Sequence, residues 1–74
     1  MNEQKNVWCD VIKDFYKKNK TVQIYFKYPQ FENPTIRTGT ILKVEDAAFS
    51  LADIKIGVSW YAYDYVIEVR EVGK

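Results

Sequence analysis

The sequence predicts an α+β fold, mostly β, in which one N-terminal helix precedes a five-stranded, strongly bent antiparallel barrel. Apolar residues recur with a helical period near the N-terminus and with the two-residue period of a strand from residue 21 onward. Gly39 lies inside the longest predicted strand, where a glycine supplies the bend that curls a short sheet into a barrel. The 74 residues are enough for one domain, which we place over residues 1–74.

The predicted helix covers about residues 3–18. Four apolar residues recur there at i, i+3, i+4 and i+7, a spacing that places them on one helix face: Trp8, Val11, Ile12 and Phe15. Asn19 follows the last of the helical lysines, and asparagine readily takes the left-handed conformation that ends a helix. We therefore expect the helix to end at residue 18 or 19.

Five strands follow, separated by turn residues. Pro29 and Pro34 bracket the first loop because proline lacks the donor that a strand ladder needs. Alternation in the fourth strand groups Trp60 with Val58 and Ala62, and we assign that face to the core. The predicted strands cover about residues 21–28, 35–44, 47–54, 58–63 and 66–72.

The composition argues against several classes of protein. Cys9 is the only cysteine and there is no histidine, so we expect no disulfide, no metal site and no cofactor. Without histidine the commonest general base is also missing, and we predict that the protein is not an enzyme. The first residues are polar and no long apolar stretch occurs, which favours a cytoplasmic protein without membrane contact.

Three short motifs occur in an order and spacing typical of one family. They are Val22-Gln23-Ile24-Tyr25-Phe26, Gly39-Thr40-Ile41 and Val44-Glu45-Asp46. Over about residues 7–72 the chain resembles the Sm-like family of small barrels, above all its bacterial branch, Hfq. The resemblance implies a non-catalytic protein that binds single-stranded RNA and forms a homo-oligomeric ring, in which the fourth and fifth strands of neighbouring subunits pair. The family's Tyr-Lys-His triplet is replaced by Tyr61-Ala62-Tyr63-Asp64, so the resemblance does not extend to its uridine site at the central pore.

The resemblance also supplies candidate contacts with RNA. Tyr25 matches a family tyrosine that stacks on adenine, and three lysines fall where the family has a basic rim at the end of the helix. Strand alternation points Tyr25 outward, and we expect Lys27 and Arg37 beside it. The full set of RNA-binding candidates is Lys17, Lys18, Lys20, Tyr25, Lys27 and Arg37. The alternatives are a solvated helix end for the lysines and cross-strand packing for the tyrosine.

Aromatic residues cluster late in the chain, where tyrosine and tryptophan are typical of subunit interfaces. The interface candidates are Trp60, Tyr61, Tyr63 and Tyr65. Charged residues on the last strand, Glu68, Arg70 and Glu71, can instead protect an open edge and keep the protein monomeric. The net charge of +1 is low for a protein that holds RNA by bulk charge. It favours the alternative function, a small SH3-like or Sm-like barrel that acts as a protein-interaction or assembly module without RNA.

Overall fold

A computed structural model describes residues 7–72. One helix precedes a five-stranded antiparallel sheet, which confirms the predicted α+β, mostly β, fold class. The elements are α1 (Trp8–Lys18), β1 (Thr21–Phe26), β2 (Thr35–Val44), β3 (Ala48–Asp53), β4 (Gly57–Ala62), a 3₁₀ turn (Tyr63–Tyr65) and β5 (Val66–Glu71). No helix in this part of the chain is long and apolar enough to cross a membrane.

The helix ends where the sequence predicts. Asn19 takes the left-handed conformation, with φ 57° and ψ 44°. Its backbone N–H donates to the Tyr16 carbonyl at 3.1 Å, and the Lys20 N–H donates to the Phe15 carbonyl at 3.2 Å. The helix begins at Trp8, later than expected, and residues 3–6 of the predicted helix lie outside the described residues. Ile12 is fully buried and anchors the apolar helix face against the sheet.

The strands are ordered β4-β3-β2-β1-β5 across the sheet. Consecutive strands β1 to β4 pair antiparallel with their neighbours, and β5 returns to pair with β1. Four strands are shorter than predicted or shifted by a residue. β1 ends at Phe26 rather than at residue 28.

Gly39 is the point of closest approach inside the sheet. It pairs with Val22 of β1 on one side and with Asp53 of β3 on the other. A Cβ atom added to it would lie 1.9 Å from the Ala52 carbonyl oxygen, so no side chain fits there. The register between β2 and β3 also shifts between Ile41 and Lys43, and an irregularity of this kind bends the strand.

The core lies between α1 and one face of the sheet. Its fully buried members with the largest side chains are Ile12, Val22, Ile24, Phe26, Phe49 and Leu51. The rings of Phe26 and Phe49 lie parallel, with centroids 6.2 Å apart. The apolar faces predicted for α1 and β1 both contribute side chains to this core.

The assignment of β4 faces is wrong. Trp60 and Val58 are exposed, by 53% and 61%, whereas Tyr61 stacks on Phe26 with ring centroids 4.8 Å apart. The register explains the inversion, because Tyr61 lies opposite the buried Phe49 and so points to the same side. Both faces of β4 carry large apolar side chains, and alternation alone does not say which of two apolar faces is buried.

Candidate nucleic-acid interface

Tyr25 lies on the outward face of β1, between the two neighbouring strands. It pairs with Ile36 of β2 and with Glu68 of β5, and its side chain is half-buried. Its hydroxyl donates to the Gln23 Oε1 atom at 3.0 Å, which fixes the ring along the strand. The predicted outward orientation is therefore what the register produces, and cross-strand packing accounts for the partial burial.

Arg70 covers this tyrosine. The Cζ atom of its guanidinium lies 5.4 Å from the centroid of the Tyr25 ring, within the range of a cation–π contact. Its Nε atom donates to Glu68 Oε2 at 2.5 Å, and this hydrogen bond raises the pKa of Arg70 above its ordinary value. An arginine is charged at any ordinary pH, and Glu68 orients this guanidinium over the ring.

Sequence reasoning did not include Arg70 among the candidates. Glu68 and Arg70 alternate on β5, so strand periodicity places both on one face. What the sequence does not give is the pairing of β5 with β1, which places Arg70 opposite Gln23 and Glu68 opposite Tyr25.

The three lysines lie at the other end of β1. Two are held by carboxylates: Lys18 Nζ is 3.0 Å from Asp14 Oδ2, and Lys20 Nζ is 3.6 Å from Glu71 Oε2. Lys17 has no ion pair within residues 7–72. Lys20 and Tyr25 are five residues apart along an extended chain, which corresponds to about 16 Å. The lysines and the tyrosine are thus not parts of one pocket.

The structure does not bring Lys27 and Arg37 together with Tyr25. Lys27 lies beyond the end of β1, where its Nζ atom donates to the carbonyl oxygens of Tyr28, at 3.2 Å, and Phe31. Arg37 pairs with the buried Ile24, so it belongs to the opposite face of β2 from Ile36. The cation beside Tyr25 is Arg70 instead.

The four aromatic interface candidates separate into two groups. Tyr61 and Tyr63 belong to the chain's own core, since Tyr61 stacks on Phe26 and Tyr63 is only 3% exposed. Burial and the adjacent Cys9 thiol raise the pKa of Tyr63 to about 12. Trp60 and Tyr65 are exposed and are the two that a neighbouring molecule can contact.

β4 and β5 form the two open edges of the sheet. Each edge carries exposed apolar side chains: Val58 and Trp60 on β4, and Ile67 on β5. An edge strand presents unpaired backbone donors and acceptors, and apolar side chains beside them favour pairing with another strand.

The described part of the chain contains no group of three histidine, cysteine, aspartate or glutamate residues placed to hold a metal ion. Comparison with protein-family models, with curated proteins and with solved structures finds no match to this chain.

Proposed function

We propose that this protein is a non-catalytic, self-assembling Sm-like barrel that binds single-stranded RNA on the sheet face around Tyr25. The observation that carries the proposal is the outward pair of an aromatic ring and a guanidinium, Tyr25 and Arg70. Aromatic rings and arginine planes are the two surfaces on which unpaired bases stack in RNA-binding proteins. The Arg70 side chain is 60% exposed, so it can move aside for a base or present its own free face to one.

The lysines at the end of the helix contribute phosphate contacts in this proposal. Lys17, Lys18 and Lys20 are exposed, and surface ion pairs such as Lys18 with Asp14 contribute little stability, so phosphates can replace the carboxylates. One subunit offers few such contacts. Repetition of the same weak site around an assembly converts them into useful affinity.

Assembly proceeds through the two open edges. β4 of one subunit pairs with β5 of the next, which covers Trp60 and Ile67 and satisfies the backbone groups of both edges. Because the two edges differ, the contact is head-to-tail and closes into a ring when the rotation allows.

Two measurements test the proposal in order. Light scattering on a size-exclusion column gives the solution mass, and we expect several times the 8.8 kDa of one chain. Trp60→Lys should return the mass to that of a monomer by placing charge on the edge. Leu42→Lys is the matched control, because Leu42 is also exposed but lies on the interior strand β2. A parent protein that is monomeric at all concentrations contradicts the assembly.

RNA binding is measured by fluorescence anisotropy with labelled oligoadenylate, oligouridylate and mixed sequences. Tyr25→Ala should weaken binding roughly tenfold, since stacking of a base on an aromatic ring contributes about 1–3 kcal/mol. Tyr16→Ala removes an exposed tyrosine from the helix and should leave binding unchanged. Equal affinity of the parent and Tyr25→Ala would show that the site is misassigned.

A specific observation favours a second candidate, a protein-interaction module without RNA binding. Lys18 and Lys20 are already paired with carboxylates, while several apolar side chains are exposed on the sheet. No detectable binding to the mixed oligoribonucleotides at low salt, with an intact assembly, would support this module over the RNA-binding protein.

A further inference from the structure

A cleft of about 290 Å³ opens beside the turn between β3 and β4. Its volume is near the lower end of the range for small-molecule sites, about 300 Å³. Neither the candidate RNA-binding tyrosine nor the sheet edges contribute to it. The residues that line it are Gln23, Ile36, Arg37, Thr38, Asp53, Ile54, Lys55 and Ile56.

The floor of the cleft is fixed by one carboxylate. Asp53 accepts hydrogen bonds from the backbone N–H groups of Lys55 at 2.7 Å, Ile56 at 3.1 Å and Thr38 at 3.3 Å. The Ile54 N–H donates in turn to the Thr38 carbonyl oxygen at 3.0 Å. The turn is therefore tied to β2 at several points, and the wall it forms is preorganised.

Two cations, Arg37 and Lys55, line this cleft. Arg37 and Lys55 form no ion pair within residues 7–72. The Arg37 Nη1 atom donates to the neighbouring Ile36 carbonyl at 3.1 Å, whereas its buried Nε atom has no acceptor among the described residues. A buried donor without an acceptor is costly, so an acceptor oxygen brought by a bound molecule stabilises the site. The negative charge of Asp53 offsets one of the two cations, so the cleft keeps one positive charge. The Asp53 oxygens already accept hydrogen bonds from the backbone.

The remaining walls are apolar and open to solvent. Ile36, Ile54 and Ile56 are 46%, 72% and 57% exposed. Three large exposed isoleucines around a polar floor match the usual composition of a small-ligand site, in which apolar walls surround a few polar groups.

We propose that this cleft binds the carboxylate of a small aliphatic monoanion. The Arg37 guanidinium and the Lys55 ammonium hold the carboxylate, and the aliphatic body packs against Ile54 and Ile56. Arginine binds planar carboxylates through paired N–H groups, and one negative charge matches the local balance better than the double charge of a phosphate. The same chemistry occurs in free aliphatic acids and in the C-terminal carboxylate of a peptide that ends in an aliphatic residue. The site is independent of the RNA-binding proposal.

The test is a titration of the ¹⁵N-labelled full chain, followed by the amide chemical shifts. The probes are hexanoate, hexanol and hexylammonium, with N-acetyl-Gly-Gly-Ile as the free acid and as the C-terminal amide. Hexanoate should shift the amides of Thr38, Lys55 and Ile56 in a saturable way, and the neutral and cationic analogues should not. Saturation by the free-acid peptide but not by hexanoate would identify a chain terminus as the source, and the reverse a free acid.

Two variants test the cations. Lys55→Gln changes an exposed side chain and should fold normally, and it should weaken binding of the carboxylate about tenfold. Arg37→Gln should weaken it further. Lys43→Gln, at an exposed lysine of β2 that does not line the cleft, should bind as the parent does. Equal binding of hexanol and hexanoate, or no saturable shift with any carboxylate, would overturn the proposal.

Discussion

Because the hydroxyl of Tyr63 is buried, we predict that the free energy of unfolding falls as the pH rises from about 10 towards 12. The pKa of Tyr63 is raised from 10.0 to about 12, mainly by burial. In the unfolded chain the tyrosine ionises near its ordinary pKa of about 10, so the unfolded state loses the proton first. The stability that the protonated Tyr63 hydroxyl contributes is fully present below pH 10 and is lost as the pH rises towards 12. With these two pKa values, ionisation of the tyrosine in the unfolded chain lowers the free energy of unfolding by about 1.4 kcal/mol at pH 11. A domain of this size has about 4–11 kcal/mol in total.

Urea unfolding followed by tryptophan fluorescence between pH 8 and 11 measures this loss. The parent curve contains the titration of every tyrosine and lysine, so the quantity of interest is the difference between the parent and Tyr63→Phe. That difference should change by about 1.4 kcal/mol over the range, with the parent losing more. Tyr65→Phe is the matched control, and it should follow the parent because it leaves the buried hydroxyl in place. Parallel curves for the parent and Tyr63→Phe would refute the argument.

Three further substitutions test the elements that shape the sheet. Asp53→Asn should lower the urea midpoint at pH 7, because backbone hydrogen bonds, led by that from Lys55, lower the pKa of Asp53. That stabilisation is present above about pH 4 and is lost as the pH falls through the lowered pKa, so the parent and the variant should converge in acid. Gly39→Ala should cost about 3 kcal/mol through its clash with a backbone carbonyl, whereas Gly57→Ala, with open space but φ at 91°, should cost about 1–2 kcal/mol. Similar urea midpoints for the two alanine variants would show that the close approach at Gly39 relaxes. Asn19→Ala should cost about 1 kcal/mol at its positive φ while Asn19→Gly should not, and equal losses in thermal unfolding would contradict the capping role.

Local patterns predicted the elements of the fold, and they failed where the answer depends on contacts distant in sequence. The end of α1 at Asn19 and the outward position of Tyr25 follow from conformational preference and strand alternation. The buried face of β4 does not, since Trp60 and Tyr61 are both large and apolar and only pairing with β3 decides between them.

The candidate site shows the same division. Tyr25 is a local prediction, whereas its partner Arg70 arrives from β5 through a pairing that no short motif specifies. The cleft was not predicted, because it forms where the turn after β3 is tied to β2 at Thr38, and its residues come from three separate segments of the sequence. The sequence holds one weak signal for this region. Asp53 precedes a turn, and an aspartate there often accepts hydrogen bonds from the backbone two to three residues later.

The position of β5 in the sheet has a consequence for how the chain is made. Although β4 and β5 are joined only by the turn at Tyr63–Tyr65, they lie at opposite edges, and β5 reaches β1 across the whole sheet. Ile24 pairs with Val69, 45 positions later, so this contact closes a loop that includes most of the domain. During synthesis the β1 edge stays without its partner until β5 leaves the ribosome. Contacts so distant in sequence form slowly, and we expect the nascent chain to rely on chaperones to avoid pairing that edge with another strand.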